Sequence, residues 1–224
     1  MAHAAGADDH HHHHSVHVDD WPDDEHMGKA SAGKIGMWIF LLSDALTFAG
    51  FLLAYGILRG GTEQWIPDAR PGGGEVPALG IYFTALLTFL LICSSVTMVL
   101  AHTEIMEKNR AGAKKFLGLT ILGGALFLFG QYLEYFGGLG IHSLIDGGLV
   151  WGESHYATTF YLVTSFHGAH VLTGVIYLSI MWFKVARGKF DDGDHNQIEI
   201  LGLFWHFVDL VWIIVFTIIY LIPE

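Results

Sequence analysis

An all-α integral membrane fold of five transmembrane helices is predicted by three observations: composition, the clumping of apolar residues and the placement of basic ones. The chain is 52% hydrophobic and only 15% charged, with a mean hydropathy of +0.45, which is too apolar for an ordinary soluble domain. Its apolar residues gather into five stretches, each of about 20 residues or more, long enough to cross a hydrocarbon core of roughly 30 Å. Lys and Arg are concentrated in alternate connections between those stretches.

The predicted spans are Gly36 to Leu58, Ala78 to Ala101, Phe116 to Phe136, His155 to Phe183 and Ile200 to Ile222. Each is read as a helix, because lipid offers backbone N–H and C=O groups no partner outside the segment. Residues 1–34 form an acidic, His-rich tail, and residues 35–224 form one membrane domain. The tail has no apolar core of a secretory signal, so the first span is expected to drive insertion itself.

Basic residues give the orientation independently. Lys29 and Lys34 precede span one, Lys108, Arg110, Lys114 and Lys115 lie between spans two and three, and Lys184, Arg187 and Lys189 lie between spans four and five. Only Arg59 and Arg70 fall on the other side, a 9 to 2 split. Because Lys and Arg in short loops resist translocation, the N-terminus is expected inside and the C-terminus outside.

The first 30 residues hold seven acids, one Lys and eight of the fifteen His, including His10, His11, His12, His13 and His14. Clustered imidazoles are ligands for copper, nickel or zinc. A run without defined spacing has no fixed ligand geometry, and reads rather as a solvated polar tail or an appended tag. Pro67, Pro71, Pro77 and Gly72 to Gly74 break any helix between spans one and two. The lone Cys93, mid-span, excludes an internal disulfide and reads as a small packing residue.

Ionisable groups in hydrocarbon need a partner or a purpose. Asp44 interrupts the first span about 12 Å from its inner end, too deep for a short side chain to reach the interface. It reads as a proton-handling group or as polar glue between helices. His206 and Asp209, three apart in Trp205-His-Phe-Val-Asp-Leu-Val-Trp, share a face of span five at about 9 and 13 Å depth. A cluster of Asp44, His206 and Asp209 is therefore geometrically permitted. His167 and His170 share a face of span four, with Gly168 and Ala169 between them. They suit a metal, a haem or close interhelical packing. Gln131 and Glu134 fall near the outer end of span three, where a carboxylate binds a lipid amine, caps a loop or is simply solvated. His102, at the inner end of span two, reads as a headgroup contact or a solvated residue.

Together the runs Met37 to Tyr55, Gln131 to Tyr135, Thr159 to Gly174 and Trp205 to Trp212 resemble subunit III of the haem-copper terminal oxidases, in order and in spacing. The resemblance covers residues 35–222 and leaves out the tail. It implies a five-helix bacterial form with a lipid-filled cleft and bound phospholipid, in the cytoplasmic membrane. The chain would dock directly on subunit I, beside subunit II and other respiratory-chain subunits, with haem and copper held by those partners and no redox centre or cofactor of its own. The implied role is support of proton uptake and of the stability of the catalytic subunit. Family members usually carry glutamate, reactive with carbodiimide, at the position of Asp44; the shorter side chain here reaches about 1.5 Å less far.

Other readings stand beside this one. A quinol oxidase subunit III or a homologue accompanying nitric-oxide reductase would share the motifs. A membrane cytochrome b could use His167 or His170 with His206, although their depths differ by about 10 Å or more. A proton channel could use Asp44 and Asp209. Nothing in the chain suggests nucleic-acid binding.

Overall fold

The computed structural model describes residues 31–62, 65, 80–139, 141, 143–145, 148–190 and 196–222. Five helices follow in order: α1 (Ala32–Gly60), α2 (Ile81–Met106), α3 (Arg110–Phe136), α4 (His155–Ala186) and α5 (Asn196–Phe216), the last continuing into a π-helical turn, Thr217–Leu221. All five are long and apolar enough to cross a membrane. Among the described residues there is no strand, only an isolated bridge between Gly138 and Ile141. The acidic tail with His10 to His14, and the Gly60 to Pro77 connection apart from Gly60, Gly61, Thr62 and Trp65, lie outside the described residues.

Several helices outrun the apolar stretches predicted for them, for a local reason. Polar caps continue the hydrogen-bonded spiral beyond the hydrophobic part. Ser31 accepts from the Lys34 N–H at the start of α1, and Asn109 accepts from Gly112 N–H at the start of α3. The α2–α3 connection is consequently three residues, with Lys108 at φ 58° completing the reversal. At the other boundary, α2 begins at Ile81 because Gly80 (φ −67°, ψ 62°) is not helical.

Helix α5 packs against α1, α2 and α4; α3 lies between α2 and α4, and α1 flanks the bundle on α4 and α5. The clamps show that α1 and α5 run parallel. Lys34 Nζ meets Glu199 Oε2 at 2.6 Å and Ser31 Oγ donates to Asn196 Oδ1 at 2.8 Å near their N-termini. Arg59 donates to the Ile222 carbonyl at 2.6 Å near their C-termini.

The core is keyed by two tryptophans seven residues apart on one face of α5. Trp205 Nε1 donates to Ser94 Oγ (3.1 Å) and Trp212 Nε1 to Thr88 Oγ1 (2.9 Å), both on α2. The Trp205 ring fits only because α3 and α4 present glycines to it. A Cβ at Gly124 would lie 2.6 Å, and one at Gly174 2.7 Å, from that ring. Small residues thus let large aromatics fill the space between helices, the contact that drives association in lipid. Cys93 does not share in this packing: it is a free thiol on the exposed face of α2, opposite to the expectation.

Candidate functional site

The buried acids and histidines described inside the bundle fall into three groups. The first joins α1 to α4. Asp44, 7% exposed, faces His170, with Oδ1 3.1 Å from Nε2. The other ring nitrogen, Nδ1, lies 2.8 Å from the Phe166 carbonyl. A carbonyl only accepts, so Nδ1 carries the hydrogen there. The Asp44–His170 bond must then hold a proton of its own, either on the carboxyl or on Nε2. The pair is a one-proton unit of zero net charge, the form in which an acid and a base are least costly in a low-dielectric interior. Asp44 Oδ2 is buried and has no hydrogen-bond partner among the described residues.

His167, three residues earlier on α4, is fully buried, and neither ring nitrogen has a hydrogen-bond partner among the described residues. It stacks on Trp212 at 4.7 Å and meets the Phe127 ring edge-on at 5.6 Å. Phe48 lies 6.4 Å from His167 and 5.4 Å from His170, part of the aromatic wall around both. The two histidines therefore play different parts: His170 pairs with an acid, whereas His167 packs as an aromatic. Beside them, Gln131 Nε2 donates to the Thr164 carbonyl (2.8 Å) and to Tyr135 Oη (3.1 Å). A Cβ at Gly168 would stand 2.6 Å from Gln131 Oε1, so glycine between the histidines makes room for this crossing.

The second group joins α2 to α5. His206 Nδ1 lies 2.6 Å from Ser95 Oγ, and the Asp209 carboxyl faces the same hydroxyl. Asp209 Oδ1 is buried without a partner. The three residues Asp44, His206 and Asp209 are thus divided. Among the described residues no hydrogen bond joins Asp44 to the other two, because its face of α1 turns to His170. A cavity of about 160 Å³ runs along α2 and α5, lined by Met98, His102, Glu199, Gly202 and His206 among others. His102 is half-buried on its wall, a placement that its position at the end of an apolar span did not disclose.

The third group narrows the readings open for Glu134, which is only 3% exposed and so is not simply solvated. Thr84 Oγ1 donates to Oε1 (2.9 Å) and Tyr220 Oη to Oε2 (3.1 Å), while its backbone carbonyl accepts from Leu144 N–H. Tyr220 reaches it from the π-helical turn after α5. Two features missed in the sequence, Thr84 and Tyr220, complete the site. The period-four recurrence of Thr84 and Thr88 was the available signal.

No group of three or more His, Cys, Asp or Glu among the described residues is placed to hold a metal ion. Five apolar helices with paired polar groups inside define a multi-pass membrane protein. The family model of cytochrome c oxidase subunit III matches residues 23–223, and the chain belongs to that family. It is 33% identical over 192 residues to cytochrome c oxidase subunit 3 of Thermostichus vulcanus, covering 85% of this chain and 87% of the relative. The corresponding protein of Synechocystis sp. is 33% identical over 198 residues (88% and 78%). Subunit 3 of the cytochrome bo(3) ubiquinol oxidase of Pseudomonas putida is 31% identical over 188 residues (84% of each).

Proposed function

We propose that this chain is the accessory subunit III of a haem-copper terminal oxidase of the cytochrome c type, in a bacterial cytoplasmic membrane. It would sit on the catalytic subunit I, beside subunit II, with its N-terminus inside, a direction that the 9 to 2 charge split supports. Its work is support: sustaining proton uptake by the catalytic subunit and protecting it during turnover, with phospholipid bound along its surface and haem and copper left to its partners.

The observation that carries this reading is the Asp44–His170 pair, set within a chain whose family match runs almost end to end. A buried acid–base unit holding one proton suits a subunit that handles protons without electrons. Its two partners sit on different helices, so it also fixes how α1 lies on α4. The shorter Asp, in place of the family's usual Glu, is compatible with that geometry because His170 approaches to 3.1 Å.

The test is Asp44→Ala in the assembled oxidase. Haem content should stay at the wild-type level while proton uptake slows or the enzyme inactivates sooner during turnover. Loss of haem from the complex, or unchanged proton uptake and lifetime, would contradict the assignment.

A further inference from the structure

The second polar group differs from the first in having access to a cavity. His206 lies on the wall of a cavity of about 160 Å³ along α2 and α5, and behind it stand Ser95, 2.6 Å from its Nδ1, and Asp209, one turn further along α5. The cavity has many times the roughly 10–15 Å³ needed to hold one water. Its apolar wall is interrupted by His102 and Glu199, which lie towards the end of the bundle where α1 begins, and by His206 deeper in. Glu199 is held there by Lys34 of α1. One turn along α5 from His206, Asp209 Oδ1 is a buried acceptor without a donor among the described residues, the kind of group that a water or a proton satisfies.

We propose that the α2–α5 cavity is a hydrated inlet through which protons from the aqueous phase reach Asp209, by way of His206 and Ser95. This site is separate from Asp44–His170. Since Nδ1 of His206 is engaged by Ser95, Nε2 is the nitrogen left for water in the cavity. The transfer balances as a relay. A hydrated proton in the cavity passes to Nε2, leaving neutral water behind, the Nδ1 hydrogen passes to Ser95 Oγ, and the Ser95 hydroxyl hydrogen passes to the Asp209 carboxylate. His206 ends in its other neutral tautomer, Ser95 is again a hydroxyl, and one proton has moved from the cavity to Asp209.

Among the described residues, the charged and titratable groups on the elements packed against the relay include His102 on α2, Glu199 with Lys34 between α5 and α1, Lys184 held by Gln197 at the α4–α5 end, and the Asp44–His170 pair between α1 and α4. Glu134 with Tyr220 lies at the opposite end. The inference rests on the subunit III reading only for which aqueous phase the inlet faces.

Two measurements on the assembled complex test it. In D2O, the infrared carboxyl signal removed by Asp209→Asn should exchange in the native chain, and Gly202→Leu should slow that exchange by an order of magnitude. The Gly202 position tolerates a side chain, since a Cβ there would meet only Met98 Cε at 3.6 Å. In a Cys93→Ser background, Gly202→Cys should react with a cationic, water-soluble thiol reagent an order of magnitude faster than Gly50→Cys, whose Cβ would meet nothing within 4 Å. An Asp209 signal that exchanges equally fast in Gly202→Leu would overturn the proposal. So would a Gly202→Cys rate no faster than that of Gly50→Cys, the outcome for an acyl chain filling the cavity. Neither readout depends on pigment, so failure of the oxidase assignment would show separately, as absence of haem.

Discussion

Asp44 and His170 face each other across the α1–α4 interface at 3.1 Å, and because the far nitrogen of His170 is committed to the Phe166 carbonyl, the contact between them must contain a proton. That one relationship separates a structural role from a protonic one. Asp44→Asn can still donate an amide hydrogen to Nε2, whereas Asp44→Ala strands the imidazole.

The first prediction follows directly. Asp44→Asn should retain most of the stability of the native chain, and Asp44→Ala should lose about 1–3 kcal/mol, the cost of a buried polar group left without its partner. Thermal inactivation of the two variants in one detergent would rank them. Equal stability of Asp44→Ala and the native chain would refute the pairing.

A second prediction concerns the glycine slots around Trp205. Gly174→Ala and Gly124→Ala each place a methyl group within 2.6–2.7 Å of the ring, so each should destabilise the bundle by about 1–3 kcal/mol through overpacking. Trp205→Phe should restore part of the loss, since it removes the larger ring. Recovery is incomplete because Ser94 then loses its donor. Unfolding followed by tryptophan fluorescence would distinguish the single and double variants.

Glu134 supplies a third. Thr84→Val and Tyr220→Phe each remove one of its two donors, and each should cost about 1–3 kcal/mol. Glu134→Gln keeps an acceptor for one hydroxyl and should be milder than Glu134→Ala. If all four variants melted with the native chain, the buried acid would have no structural part.

By contrast, Lys34→Ala should change stability by no more than about 1 kcal/mol, although Lys34 and Glu199 stand only 2.6 Å apart. Both side chains are partly exposed, and an exposed ion pair gains little over its hydrated partners. A melting comparison at low and high salt would show whether even that small contribution is screened.

What the sequence disclosed and what it withheld divide on a physical line. Five spans were legible because hydropathy is a property of each segment alone, and the helices Ala32–Gly60 to Asn196–Phe216 overlap every predicted stretch. That Asp44, His170, His206 and Asp209 need a partner or a purpose was legible too, since desolvation acts on each residue singly, whereas His167 is buried as an aromatic with neither ring nitrogen bonded among the described residues. Partner choice was not. Whether Asp44 meets His170 or His206 depends on the rotation of α1 against α4 and α5, which no single-helix pattern specifies. Counting residues put Glu134 close to the interface with solvation as one of its readings, and the π-helical turn brings Tyr220 over it and closes the site. His102 and His206 line one cavity for the same reason: two helices, each ordinary in isolation, create a space only when packed.

The central claim, that this chain serves a haem-copper oxidase, is tested most directly by gentle purification of the full chain from its native membrane, followed by identification of the accompanying proteins and pigments. The account predicts stoichiometric recovery with a haem- and copper-bearing catalytic subunit, and no haem on this chain once the two are separated. Recovery of the chain alone and colourless under conditions that keep other membrane complexes intact, or a haem spectrum that stays with the isolated chain, would contradict it.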